Sequence, residues 1–248
     1  MFKKKILPII IFLILLLGMA YFPYIPMELF NINYDNFNMT MKSLYMFFCD
    51  IGYILILFIL YKDKIIKDFK NYFKDFSKNF EQSFKYYFIG VLIMMISNLI
   101  LTIFVSSATA NNEEAVRAMI DQVPLYMLFS VSIYAPFVEE LIFRHSIKDS
   151  IICYGNNKIT KYIYIIISGF IFGFLHMSLD STNYLDYLYI VPYMSLGVAF
   201  AALYHKSDNI FSSIVMHSLH NTVTVILYFI TSGAIKWENG LNFLLVSH

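Results

Sequence analysis

The chain has 248 residues, of which 59% are hydrophobic and only 14% are charged, and its formal net charge is +1. A soluble domain carries about 25% charged residues, and a globule of this size has too little interior to bury so much apolar surface. The composition therefore excludes an ordinary soluble protein and indicates that lipid surrounds most of the chain.

Seven apolar runs are long enough to cross a membrane as helices, since a bilayer core of about 30 Å takes about 20 helical residues. Open strands would leave backbone groups unpaired in hydrocarbon. We therefore predict an all-α fold, a polytopic transmembrane helical bundle of about seven spans. The predicted spans are residues 6–23, 44–61, 86–107, 125–147, 162–179, 187–204 and 210–230.

The distribution of basic residues predicts how the bundle is oriented. With the N-terminus in the cytoplasm, 15 of the 18 basic residues fall on the inner side, as expected because cytoplasmic loops are enriched in lysine and arginine. The sequence MFKKK before the first apolar run could open a cleavable signal peptide, but no clear cleavage site follows. We expect a multi-pass protein of the cell membrane that retains its first helix as an anchor.

Residues 62–85 are predicted to form an amphipathic helix in the cytoplasmic interface, with lysines on one side and attraction to anionic lipid. A partner-docking or nucleic-acid role is the alternative, although no nucleotide-binding motif is present. This helix divides the chain into an N-terminal hairpin (1–61) and a core (86–248). Its apolar face comprises Ile65, Ile66, Phe69, Tyr72, Phe73, Phe76, Phe80 and Phe84, at spacings of one to four residues.

The fourth predicted span contains three ionisable residues, Glu139, Glu140 and Arg144. Such residues are costly inside a membrane and are functional candidates for that reason. Glu140 and Arg144 are four residues apart on one helical face, the favourable order for an ion pair. Glu139 points about 100° away, which leaves it free to act as a general base or acid. A structural ion pair or a proton relay would give the same pattern.

Two further spans carry imidazoles. Phe172 and His176 are four residues apart in the fifth span, and His217 and Asn221 are four apart in the seventh. Each pair alone is compatible with a packing histidine or with polar contacts between helices. Their co-occurrence with the acidic pair favours one site inside the bundle. Asp50 and the neighbouring His220 are interpreted as bystanders, Asp50 as a polar contact between helices or part of a wet cavity.

The predicted span boundaries place His217 about 10 Å nearer the cytoplasmic face than His176, at 1.5 Å per residue. Helix tilt, or a fifth span that begins before residue 162, would bring the two residues to one depth. A single site requires one of these adjustments.

Glu139-Glu140-x-x-x-Arg144, Phe172-x-x-x-His176 and His217-x-x-x-Asn221, in this order, resemble the three motifs of the CAAX-protease and bacteriocin-processing family, also called Abi. The resemblance covers about residues 105–230. It implies an intramembrane endopeptidase that cleaves a peptide, a prenylated or leader-bearing precursor, or a membrane protein.

By the same resemblance, Glu139 would activate water with help from His176. His217 and Asn221 would stabilise the oxyanion, while Glu140 and Arg144 would position Glu139. Members of the family are classed both as metalloproteases and as glutamate-dependent proteases.

The sequence leaves an alternative open for both the cofactor and the activity. Glu139, His176 and His217 could serve as three zinc ligands, although the HExxH spacing is absent, so the cofactor is either none or a zinc ion. For the activity, the alternatives are a non-proteolytic bacteriocin-immunity or partner-binding protein and, less compatible with seven spans lacking an inverted repeat, a proton-coupled transporter.

Overall fold

The computed structural model describes residues 2–104, 111–152, 155, 157–177 and 184–232. Within these residues the secondary structure is helical. The principal helices are α1 (Phe2–Tyr21), α2 (Tyr24–Phe30), α3 (Met39–Leu60), α4 (Lys62–Lys74), α5 (Phe76–Phe104), α6 (Asn111–Gln122), α7 (Pro124–Ile152), α8 (Lys158–Leu175), α9 (Ile190–Ser207) and α10 (Ile210–Ser232).

In the described part of the chain, six helices are long and apolar enough to cross a membrane. The bent pair formed by α1 and α2, with 68° between its helices, would make a seventh. The predicted all-α transmembrane bundle of about seven spans is therefore confirmed.

The prediction of one continuous amphipathic helix over residues 62–85 is wrong, because the helix is interrupted at Asp75, between α4 and α5. The side chain of Asn79 donates hydrogen bonds to the carbonyl oxygens of Asn71 (3.1 Å) and Tyr72 (2.9 Å). These carbonyls lie in the last turn of α4, where helical partners run out. Asn79 thus stabilises the end of α4 from the first turn of α5, so residues 76–85 belong to the membrane-spanning helix.

Helix α8 begins at Lys158, four residues earlier than predicted, because Asn157 and Thr160 form a capping box. The Thr160 amide donates to Asn157 Oδ1 at 3.0 Å, and the Asn157 amide donates to Thr160 Oγ1 at 3.1 Å. By residue count this start places His176 18 residues after the first residue of α8, whereas His217 lies seven residues after the first residue of α10, so the earlier start does not account for a common depth of the two histidines.

Helices α8 and α9 pack closely because glycines line their crossing. A Cβ atom at Gly169 would lie 2.4 Å from the Val198 side chain, and one at Gly173 would lie 2.8 Å from the Met194 amide nitrogen. Small residues let the backbones of membrane helices approach each other in this way. The crossing holds the C-terminal part of α8 in place, and His176 directly follows the last residue of this helix.

Helix α7 contains two π-helical stretches, Ser130–Tyr134 and Glu140–Ser146, on either side of Glu139. A π-helical turn leaves backbone groups without their usual partners, and such turns are frequent at functional sites. Side chains of other helices donate to carbonyls in both stretches: Asn221 to Val131 at 2.8 Å and Ser168 to Phe143 at 2.6 Å.

Candidate active site

The predicted ion pair between Glu140 and Arg144 is confirmed. Both side chains are fully buried, and Arg144 Nε lies 3.0 Å from Glu140 Oε2. The Arg144 guanidinium also lies 4.6 Å from the ring centroid of Phe172 and donates to Ser168 Oγ at 3.3 Å. A buried charge that is paired and packed in this way is held in one position.

Glu140 has a second partner that the sequence did not predict. His217 Nδ1 lies 3.0 Å from Glu140 Oε1, and because a carboxylate only accepts hydrogen bonds, Nδ1 is the donor. Glu140 therefore orients the His217 ring and leaves its Nε2 facing the interior of the bundle. Since 77 residues separate the two positions, no local sequence pattern signals this contact.

His176 is oriented by its own helix. Its Nδ1 donates to the Phe172 carbonyl oxygen at 2.8 Å, and its ring lies 4.2 Å from the Phe172 ring. The neutral imidazole therefore has its acceptor at Nε2. Phe172 contacts Arg144 on one side and His176 on another, which explains why an aromatic residue precedes the histidine by one turn.

Glu139 lies where the two imidazoles meet. Its Oε2 is 3.8 Å from His176 Nε2 and 3.9 Å from His217 Nε2. That oxygen is buried and makes no hydrogen bond to the described residues. The structure thus brings Glu139, His176 and His217 to one depth, and Glu140 and Arg144 adjoin them.

The other polar residues named from the sequence have different surroundings. Asn221 donates to the Val131 carbonyl, so its amide links α10 to α7. His220 Nδ1 lies 3.4 Å from the Tyr87 hydroxyl of α5. Asp50 is buried in α3 beside Tyr126, and its Oδ2 has no hydrogen-bond partner in the described chain.

Sequence reasoning missed Ser168, which accepts from Arg144 and donates to the Phe143 carbonyl. A serine next to a glycine within the apolar run of α8 is the signal that could have identified it, because small polar residues concentrate at helix contacts in membranes.

A zinc site at Glu139, His176 and His217 does not fit this arrangement. Ligands of a tetrahedral zinc site, at 2.0–2.1 Å from the metal, lie about 3.4 Å apart, whereas Glu139 Oε2 is 3.8 and 3.9 Å from the two nitrogens. Across the described residues, no group of three or more His, Cys, Asp or Glu side chains could hold a metal ion.

The three motifs fall within a segment that resembles known membrane proteins. Residues 121–223 match the family model described as Type II CAAX prenyl endopeptidase Rce1-like. Over 118 residues, 48% of the chain, the sequence is 31% identical to a putative membrane peptidase, YdiL, of Bacillus subtilis (strain 168), and the match covers 43% of that relative. Over 145 residues, 58% of the chain, it is 26% identical to the membrane-embedded CAAX protease MroQ of Staphylococcus aureus (strain USA300), of which 55% is covered.

The chain thus spans about half the length of these relatives. No solved structure matches. The matched family segment contains all the residues of the buried cluster, from Glu139 to Asn221. Over residues 121–223 the chain is thus similar to CAAX-type membrane peptidases, the class that its three motifs resemble.

Proposed function

We propose that this protein is an intramembrane endopeptidase in which Glu139 activates water for hydrolysis of a peptide bond. The observation that supports the proposal is the approach of one buried carboxylate oxygen to two imidazole nitrogens, at 3.8 and 3.9 Å. Each ring is oriented through its other nitrogen, His176 by a carbonyl and His217 by Glu140. Reactive groups held in this way need little reorganisation during the reaction.

In the proposed first step, water lies against Glu139 Oε2 and His176 Nε2. Hydrogen bonds of about 2.8 Å from one water can reach two acceptors that are this far apart. Glu139 takes a proton from the water while the water oxygen attacks the carbonyl carbon of the substrate. His176 accepts a hydrogen bond from the second hydrogen of the water. General-base assistance of this kind accelerates a reaction by about 10²–10⁴-fold.

The carbonyl oxygen becomes negatively charged in the tetrahedral intermediate. His217 is placed to stabilise it, because Glu140 accepts the hydrogen bond of Nδ1 and supports the ring when Nε2 is also protonated. A fixed donor in a site shielded from water is effective against such a charge. When the intermediate collapses, the C–N bond breaks and Glu139 returns its proton to the leaving amine. The products are one carboxylic acid and one amine, and the acid becomes a carboxylate when its proton passes to the amine or to solvent.

The substrate class follows from the location of the site. Glu139 and His217 lie within membrane-spanning helices and His176 directly follows one, which favours a substrate whose scissile bond enters the bilayer. A peptide with a lipid attached, a leader-bearing precursor or a membrane protein can do so. One relative is named a CAAX protease, which favours a substrate with a prenylated C-terminal Cys-aliphatic-aliphatic-X sequence.

The bilayer is a partner in this proposal, with the N-terminus in the cytoplasm. In α4, Ile65 and Tyr72 are buried against the bundle, while Phe69 and Phe73 are exposed beside them. Three of the four exposed lysines of α4 lie on another side of the helix, counted at 100° per residue. This arrangement suits a helix that lies in the interface with phenylalanines in the acyl region and lysines near anionic headgroups.

Glu139→Gln tests the proposal. The protein in detergent or nanodiscs is incubated with an internally quenched farnesylated Cys-aliphatic-aliphatic-X peptide and with the same peptide lacking lipid. We expect the wild type to cleave and Glu139→Gln to lose at least 100-fold in kcat with an unchanged Tm. The matched control is Glu113→Gln on α6, which should retain full activity. Wild-type turnover by Glu139→Gln would overturn the assignment of the base, and a wild type inactive on these peptides and on a leader-bearing precursor would overturn the peptidase proposal.

A further inference from the structure

One backbone carbonyl in α7 lacks the donor that a regular helix would supply. In an α-helix the Val131 carbonyl would accept from residue 135, and in a π-helical turn from residue 136. The Ala135 amide donates instead to the Ser130 carbonyl, and residue 136 is a proline, which has no amide hydrogen. The proline of the sequence Ala-Pro-Phe-Val-Glu-Glu thus leaves the Val131 oxygen without a helical partner, at membrane depth.

A side chain of a different helix donates to this oxygen. Asn221 Nδ2 of α10 lies 2.8 Å from the Val131 oxygen, and the two residues are 90 positions apart in the chain. An unsatisfied carbonyl in hydrocarbon is costly, so the sequence of α7 creates a requirement that a donor on α10 fulfils.

The contact lies next to the catalytic groups on both helices. On α10, Asn221 follows His217 by four residues and so shares its face. On α7, Val131 precedes Glu139 by eight residues, about two helical turns. Glu139 itself approaches α10 at His217, whose Nε2 lies 3.9 Å from Glu139 Oε2. A helix that slid or rotated at Asn221 would therefore change that separation.

We infer that Asn221 is a positioning residue: its amide replaces the backbone donor that Pro136 lacks and thereby holds His217 of α10 in register with Glu139 of α7. The role differs from direct stabilisation of the oxyanion, which is the role that the family resemblance implies. The effect on catalysis rests on the proposed function, whereas the effect on stability does not.

The inference makes a specific prediction about rescue. In Pro136→Ala the new amide hydrogen can donate to the Val131 carbonyl, so the Asn221 amide becomes dispensable. We expect Asn221→Ala alone to lower Tm by about 5 °C, the effect of leaving a half-buried acceptor unpaired at membrane depth, and to lower kcat about tenfold. In the double variant Pro136→Ala/Asn221→Ala, both losses should be at least half restored. Pro136→Ala alone should stay near the wild type in both measurements.

Thermal unfolding and cleavage of the quenched peptide are measured on the four proteins of this cycle in the same nanodiscs. Thr224→Ala is the matched control, because Thr224 is also on α10 and its hydroxyl donates only within that helix, to the His220 carbonyl at 2.9 Å. It should change neither measurement.

Three outcomes separate the possibilities. If Asn221→Ala loses kcat at an unchanged Tm and Pro136→Ala does not restore it, Asn221 contacts the reacting atoms and the positioning role is wrong. If Pro136→Ala fails to restore Tm, the coupling of the two residues is wrong. If the wild type cleaves nothing while the Tm cycle behaves as expected, the proposed function fails and the structural coupling stands.

Discussion

The core formed by α7–α10 and the N-terminal hairpin formed by α1–α3 use polar side chains in different ways. In the core, polar groups contact each other within and across helices: Glu140 pairs with Arg144 of its own helix α7 and with His217 of α10. In the hairpin, the Tyr53 hydroxyl donates to the Leu15 carbonyl, a contact that only fastens α3 to α1. The acid of the hairpin, Asp50, is buried with one oxygen unpaired among the described residues.

This difference separates the polar groups that we propose to be catalytic from those that join helices. A buried ionisable residue is expensive wherever it lies, so burial alone does not identify a catalytic centre. What distinguishes the core is that Glu140 is paired both with Arg144 of its own helix and with His217 of another helix. The family match, which covers residues 121–223 and leaves out the hairpin, follows the same division.

The largest effect is expected from breaking the charge pair of the core. Arg144→Met leaves Glu140 buried without its cation, and such a loss costs about 3–5 kcal/mol, equivalent to roughly 10 °C in Tm for a chain of this size. Thermal unfolding in detergent measures it. Arg117→Met is the matched control: Arg117 also pairs with a glutamate four residues earlier, Glu113, but both side chains are about 40% exposed, so the cost should stay below about 1 kcal/mol.

The double variant Glu140→Gln/Arg144→Met gives a further test of the same pair. Removing both charges avoids an uncompensated buried ion, so Tm should recover much of the loss while cleavage stays impaired, because His217 has lost the carboxylate that orients it. Equal Tm losses for Arg144→Met and Arg117→Met would contradict the difference between buried and exposed pairs.

A smaller, pH-dependent effect is expected at the rim of the core. Asp208, in the turn between α9 and α10, accepts a hydrogen bond from Lys148 of α7 at 2.6 Å. Burial by itself would raise the pKa of this carboxyl, but the hydrogen bond and the charges of Lys148 and nearby lysines lower the pKa below its ordinary value. The contribution to stability is therefore present above the ordinary pKa of about 3.9 and is lost as pH falls through the lower pKa of the folded state.

Asp208→Asn measures this contribution. Residue 208 has a φ of 49°, a conformation that asparagine accepts, so the exchange removes the charge without straining the backbone. Because the Asp208 side chain is 77% exposed, screening limits the loss to less than about 1 kcal/mol at pH 7, or about 2 °C in Tm. The difference from the wild type should shrink below about pH 4. If the difference in Tm between Asp208→Asn and the wild type grew as pH fell, the predicted direction of the pH dependence would be wrong.

The parts of this molecule that depend on local pattern were predictable from its sequence. The length of the apolar runs predicted the spans, and the spacing of four residues predicted the Glu140–Arg144 pair. Both features depend on the geometry of a single helix. The break at Asp75 and the early start of α8 were missed, since each depends on a side-chain cap, Asn79 in one case and Asn157 in the other.

Contacts between distant segments were beyond local pattern. The bond from His217 to Glu140 and the bond from Asn221 to Val131 join residues 77 and 90 positions apart. Their existence depends on the close crossing of helices and on the π-helical stretches of α7. The order of the motifs indicated that the groups meet, but the partner of each ring nitrogen follows only from the packed bundle.

The smallest effect, and the sharpest test of the contrast between hairpin and core, is expected from Asp50→Asn. The amide has the shape of the carboxyl, and the Tyr126 and Ser130 hydroxyls beside it can accept from its NH₂ group. If Asp50 only packs α3 against α7, peptide cleavage should stay within about threefold of the wild type and Tm should not fall, since a buried carboxyl oxygen without a partner is removed. Asp121→Asn, at an exposed acid that accepts from the Tyr228 hydroxyl, controls for the exchange itself. A loss of cleavage of more than tenfold at an unchanged Tm would place the hairpin within the catalytic machinery, because no change in packing would account for it.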